Sequence, residues 1–151
     1  MAVLKNLPLA LLLGLAACGG PSVPTIEGTT FAAALDVQLS NSTKLPSGTY
    51  YRDLVAGSGA AIANGQTISA HYTLWLPDGT KLESNVGGAA YSFPLGAGHV
   101  IPGWDLGLVG AHVGGTRQLI IPPDQAYGAY GQGAVPANAI LVFSVLIDSA
   151  Q

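Results

Sequence analysis

The stretch from Thr67 to Leu76 constrains this chain most. Ile68, Ala70, Tyr72, Leu74 and Leu76 fall on one side of it, and Thr67, Ser69, His71 and Thr73 on the other. A strict period of two is a half-buried strand and cannot be a helix face. Such a strand needs neighbours along its edges and a cover over its apolar side. The cover is found at Val100-Ile101-Pro102-Gly103-Trp104. Pro102, with fixed φ and no N–H, suits the first position of a helix, and Ile101, Trp104 and Leu108 then share one face. With Gly107 and Gly110 close behind, this helix stays short and is the one substantial helix expected.

Neighbouring strands are expected at Thr49–Val55, at Thr80–Ser84 as a hairpin return through Pro77-Asp78-Gly79, and at Tyr91, Phe93 and Leu95 with Pro94 marking an edge or bulge. Thr116–Ile121 and Ala139–Ile147 complete the set, the last being the most apolar and so the central one. The expected fold is α+β: a five- or six-stranded antiparallel sheet wrapped around one short helix. A long segment dense in Gly and Tyr, Asp124 to Pro136, separates the final two strands, and structureless connections of that length usually carry function.

The N-terminus reads as targeting rather than fold. Lys5 precedes an apolar run from Leu7 to Leu15 that is too short for a stable membrane span. Leu15-Ala16-Ala17-Cys18 resembles a bacterial lipobox, with cleavage before Cys18 and lipidation of its sulfur; Cys18 is the 1 cysteine of the chain. The expected division is a lipoprotein signal peptide at 1–17, the lipidated Cys18 with a tether and short pre-domain segment at 18–43, and the folded domain at 44–151. Gly19 to Thr30 has no period and reads as the tether, and Phe31–Leu35 as one or two helical turns capped by Thr30. The location implied is the cell envelope, on a membrane and facing the periplasm. Without residues 1–17 the chain keeps 4 basic against its 8 acidic residues, which disfavours nucleic acid as a partner. Too little chain lies before the domain for a dimerisation arm, so a monomer is expected.

No phosphate-binding loop, nucleophile elbow or metal-ligand spacing is present, and no cysteine remains for nucleophilic work. His71, His99 and His112 are isolated. What the chain does hold is an aromatic set: Tyr72, Tyr91, Phe93, Trp104, Tyr127 and Phe143. An apolar pocket with a few hydroxyl and N–H donors suits a reaction in which no bond breaks. Prolyl rotation is one. Its barrier of about 18–20 kcal/mol is amide resonance, and twisting reduces the charge separation that water stabilises, so a desolvating pocket favours the twisted state.

From Thr49 to Ile147 the chain resembles the FKBP-type peptidyl-prolyl isomerases, the macrolide-binding immunophilins. The shared motifs, in order, are His71-Tyr72-Thr73, Asp78-Gly79-Thr80-Lys81, Phe93 with Leu95-Gly96, Val100 to Trp104, Pro123-Asp124 with Ala126-Tyr127-Gly128, and Leu141-Val142-Phe143. The resemblance implies a catalytic set of Tyr72, Glu83, Ile101, Trp104, Tyr127 and Phe143. Trp104 would be the floor under a proline ring, and the Ile101 N–H and Tyr127 hydroxyl the donors to carbonyls. It implies substrate contacts from Leu82, Tyr91, Phe93, Val100 and the outer-rim Val135. Proline-containing polypeptides are the implied substrates and macrolides the implied inhibitors, with no cofactor and no metal. The chain departs from the family at Leu82-Glu83, where Phe-Asp is usual, at Tyr91 for Phe, and at His99 for an acidic residue. Two other readings stand beside the isomerase: a proline-segment-binding chaperone or adaptor with little turnover, and a purely structural envelope lipoprotein.

Overall fold

The computed structural model describes residues 22–151. The expected signal peptide, Cys18 and the first residues of the expected tether lie outside the described residues. The elements are β1 (Thr43–Lys44), β2 (Tyr50–Val55), β3 (Thr67–Trp75), β4 (Lys81–Ser84), β5 (Tyr91–Pro94), α1 (Pro102–Gly107), β6 (Thr116–Ile121) and β7 (Leu141–Ala150), with short 3₁₀ turns at Ala33–Leu35, Leu39–Asn41 and Pro123–Gln125. They form a 7-stranded sheet in the order β1-β2-β6-β7-β3-β4, with β5 also paired to β3. All pairings are antiparallel. The strand beyond the expected six is β1, two residues long. The apolar β7 is central, between β6 and β3.

Among the described residues α1 is the one α-helix, and none is long and apolar enough to cross a membrane. Ile101 is the N-cap, Pro102 opens the helix, and Leu108 closes it. Trp104 and Leu108 are buried against Ile68, Ala70 and Leu74 of β3, Leu119 and Ile121 of β6, and Leu141, Phe143 and Val145 of β7. The buried Arg117 side chain anchors the helix C-terminus. Its Nη1 donates to the Gly107 and Val109 carbonyls, both at 3.0 Å, while Nε and Nη2 donate to Asp53 at 2.6 and 2.9 Å. The guanidinium also lies 4.3 Å over the Tyr51 ring.

The N-terminal segment differs from the expected tether. Ile26 and Leu35 are buried in a second core with Tyr50, Ile120, Ile140 and Val142. Ile120 and Val142 alternate with Leu119, Ile121, Leu141 and Phe143 of the main core, so this second core lies on the opposite face of the sheet. The chain from Ile26 to Leu39 is therefore a strap over the outer face. Polar ties hold it along its length: Glu27 accepts from Lys44 at 2.5 Å and from the Tyr50 hydroxyl at 2.7 Å, the Ala32 N–H donates to the Pro77 carbonyl at 2.8 Å, the buried Gln118 amide donates to the Leu35 carbonyl at 2.7 Å, and Arg52 donates to the Asp36 carboxylate at 3.0 Å. The expected helical turns shrink to one 3₁₀ turn, Ala33–Leu35, with Ala32 and not Thr30 at its N-cap and no side-chain capping bond. Asp36 ends it with a left-handed φ of 45°, and packing of Leu35, rather than helix propensity, holds the turn in place.

Candidate functional site: an aromatic cleft at the helix N-terminus

The helix N-terminus opens into a cleft of about 570 Å³. Trp104 forms its floor and is only 4% exposed. Around the indole stand Tyr72, Phe143 and Phe93, edge-on at centroid distances of 5.2, 5.3 and 5.4 Å, with Tyr91 at 6.5 Å. Edge-to-face contacts hold each ring by its quadrupole, so the box is rigid as well as apolar. The indole Nε1–H is buried and has no partner within the protein.

Each wall is placed by a different local device. Asp105, in the first turn of α1, accepts from the Gly96 and Gly98 N–H groups at 2.8 and 2.9 Å. That ties down the approach to the helix and sets Gly98, His99 and Val100 along one side of the cleft. On the opposite side β4 meets β3 with a register shift: Leu74 faces Glu83 but Trp75 faces Lys81, leaving Leu82 unmatched. Such a bulge turns neighbouring side chains the same way. Leu82 packs on the main core while Glu83 reaches the cleft and accepts from the Tyr72 hydroxyl at 2.6 Å.

Tyr127 comes from the long loop, which is tightly folded on itself. The Gly128 N–H donates to the Pro123 carbonyl at 2.8 Å, Gly131 to the Tyr127 carbonyl at 3.2 Å, and Asn138 to the Gly128 carbonyl at 2.8 Å. Gly131 has a φ of 66°, and a Cβ there would strike the Val135 carbonyl. No other residue type fits the turn. Two phenols inside the cleft are shifted. Burial, and then the bond to the Glu83 carboxylate, push the Tyr72 hydroxyl well above the ordinary tyrosine value; burial, and then the Glu83 charge, raise Tyr127. Both are therefore neutral donors throughout the physiological range. Among the described residues no cluster of three or more His, Cys, Asp or Glu is arranged to hold a metal.

Of the residues expected at the site, the structure brings Tyr72, Glu83, Tyr91, Val100, Ile101, Trp104, Tyr127 and Phe143 to the cleft surface. Phe93 stands behind it, 2% exposed and stacked on Tyr91 at 5.6 Å, so its role is to back the wall. Leu82 and Val135 pack against the main core beside the cleft without lining it. Leu74, Gly98 and Gln132 line it and were not expected to, as does His99, which the sequence marked only as a departure from the family. Leu74 was within reach of the sequence, since it follows Tyr72 on the same strand face. Gln132 was not, because a glutamine in a Gly-rich loop carries no periodic signal.

A twisted antiparallel sheet closed over one short helix, with an aromatic cleft at the helix N-terminus, defines an immunophilin-type domain. The comparisons agree. The family model described as FKBP-type peptidyl-prolyl cis-trans isomerase matches residues 59–148, and the chain belongs to that family. FK506-binding protein 4 of Rhizopus delemar is 46% identical over 108 residues, which cover 71% of this chain and 28% of that one. Peptidyl-prolyl cis-trans isomerase FKBP15-3 of Arabidopsis thaliana is 39% identical over 122 residues, 79% of this chain and 85% of that one. The chain thus spans about a quarter of the length of the fungal FK506-binding protein 4 and most of the plant protein. The crystal structure of FkpA from Escherichia coli superposes with a TM-score of 0.67 at 34% identity, covering 74% of this chain and 52% of that one. AtFKBP13 gives 0.68 at 33%, covering 73% and 98%.

Proposed function

We propose that this chain accelerates the cis–trans exchange of X-Pro bonds in polypeptides. The observation that carries the reading is the buried Trp104 indole boxed edge-on by Tyr72, Phe93 and Phe143 at the bottom of an open cleft. A proline ring is flat-sided, apolar and lacks an N–H, and it fits such a floor without stranding a donor. With the ring seated, the amide to be rotated leaves water. Planar amide, with its separated charge, loses more solvation than the twisted form, so the barrier falls. Tyr127, neutral and held by its loop, donates to a flanking carbonyl and fixes one side of the bond while the other turns. Nothing is transferred, so no base or cofactor is needed. Spontaneous exchange takes about 10–100 s, and each tenfold acceleration requires only about 1.4 kcal/mol of selective stabilisation. Macrolides that present a ring and carbonyls in the same arrangement would compete for the cleft.

The substrates we propose are exported proteins, met at the cell envelope by a monomer tethered through lipid on Cys18. What supports this is the Lys5, Leu7–Leu15 and Leu15-Ala16-Ala17-Cys18 pattern. Replacing Cys18 with Ser should move the protein from the membrane to the soluble fraction; a wild-type protein already soluble would overturn the anchor.

The deciding experiment is the exchange rate of a short X-Pro peptide with and without the detergent-solubilised full-length protein, alongside Trp104→Leu and Tyr127→Phe. Acceleration by wild type that Trp104→Leu loses while still melting cooperatively supports the isomerase. An unchanged exchange rate with bound peptide refutes it and leaves a recognition module. That second reading draws on one observation: the Tyr72 hydroxyl is already committed to Glu83.

A further inference from the structure

The edge of β3 next to the cleft is shared by two strands that do not meet. β4 pairs with Thr73–Trp75 and β5 with Thr67–Ala70. Between them lies a gap opposite His71 and Tyr72, in the middle of the cleft wall. Unpaired strand backbone there would be a soft point. Asn85, immediately after β4, fills the gap with its own atoms. Its Oδ1 accepts from the Tyr72 N–H at 2.7 Å, and its Nδ2 donates to the Ala70 carbonyl at 3.2 Å and the Ala89 carbonyl at 3.1 Å. Its backbone N–H donates to the Tyr72 carbonyl at 3.1 Å, and its carbonyl accepts from Gly88 at 3.0 Å. One acceptor and two donors in a single short side chain is the inventory of a primary amide, and every part of it is used.

The residues tied by these bonds are those that carry the wall. Tyr72 is held on both sides of its own peptide unit, Glu83 is two residues before Asn85, and the turn that Asn85 closes delivers Tyr91 at the start of β5. We propose that Asn85 is a positioning residue that fixes the Tyr72–Glu83 pair over Trp104, and so sets how tightly the cleft grips the prolyl segment. This rests on the isomerase reading for its link to turnover, but not for its link to binding. A carboxamide at position 85 is required because Asp, its isostere, keeps the acceptor for Tyr72 but sets a charged oxygen against the Ala70 and Ala89 carbonyls.

The test is a double-mutant cycle on the full-length protein: Asn85→Ala, Asn85→Asp, Tyr72→Phe, and each Asn85 variant combined with Tyr72→Phe. Two readouts are needed, exchange of an X-Pro tetrapeptide and binding of that peptide and of FK506 by Trp104 fluorescence in a Trp75→Phe background. Asn85→Ala should weaken peptide and macrolide binding about tenfold, the worth of about one net hydrogen bond, through KM more than kcat. In the Tyr72→Phe background, where no hydroxyl remains to be aimed at Glu83, the loss should shrink to less than about threefold. An equal loss in both backgrounds, or none, overturns the proposal. If Asn85→Ala does not fold, Asn85→Asp decides by the same comparison. A wild type that binds without accelerating exchange refutes the isomerase reading, and the fluorescence cycle then still decides the role of Asn85.

Discussion

Leu35→Ala is the sharpest test of the strap, because its expected effect falls on stability alone. Leu35 is 8% exposed and packs in the second core with Ile26, Ile120, Ile140 and Val142. Truncating a buried Leu to Ala costs about 2–5 kcal/mol, and the low end applies where the surroundings can collapse into the space. The strap is one chain thick, so about 2 kcal/mol is expected. For a domain between the 100- and 150-residue scales, 1 kcal/mol moves the melting temperature about 3–5 °C, giving a drop of ~6–10 °C. The carbonyl of Leu35 and its bond from Gln118 are backbone features that the substitution keeps. The cleft lies on the other face of the sheet, so the peptide exchange rate well below the melting temperature should be unchanged. The assay is a thermal melt of wild type, Leu35→Ala and the volume-conserving Leu35→Met, with exchange kinetics on the same samples. A drop under about 2 °C would show that the strap contributes no cover and is the loose tether that its composition suggests. A large loss of turnover at low temperature would show that the two faces are not independent.

Two further predictions concern charge. Glu27 is held down from 4.5 to about 2 by the Lys44 ammonium first and the Tyr50 hydroxyl second. A depressed carboxyl adds stability above its unfolded value that is lost as pH falls from 4.5 toward 2. Glu27→Gln should therefore flatten the melting temperature against pH in that window: the two proteins converge near pH 2, and the variant melts lower at pH 7 by the amount wild type loses on acidification, a modest one because the pair is half exposed and screened; identical slopes for the two proteins would count against the tie. Arg117→Leu strands the Gly107 and Val109 carbonyls at the helix end, whereas Asp53, whose side chain is 43% exposed, returns to water. Urea unfolding should show a loss of about 2–3 kcal/mol, below the 3–5 kcal/mol of a fully closed pair, and a loss under 1 kcal/mol would mean that the helix end finds other donors.

How far the chain was legible depended on whether the cause of each feature was local. β3 and α1 were legible because period-two alternation and an Ile-Pro helix entry act within a few residues. The cleft was legible through resemblance, since no local rule makes Trp104 and Tyr127 neighbours. Asn85 was invisible because its amide completes a ladder whose gap exists only once β4 and β5 have both taken their places on β3. The strap lies between these cases. Read alone, the segment around Ile26 has no period and offers nothing to bury. The signal is in its partner: β7 begins Leu141-Val142-Phe143, a continuous apolar run, and a strand of that kind needs cover on both faces. The helix can cover only one. Ile120 and Val142 therefore called for a second layer, and with the helix committed to the other face, the apolar residues left to supply it are Ile26, Phe31 and Leu35 of the N-terminal segment, which is where the structure places them.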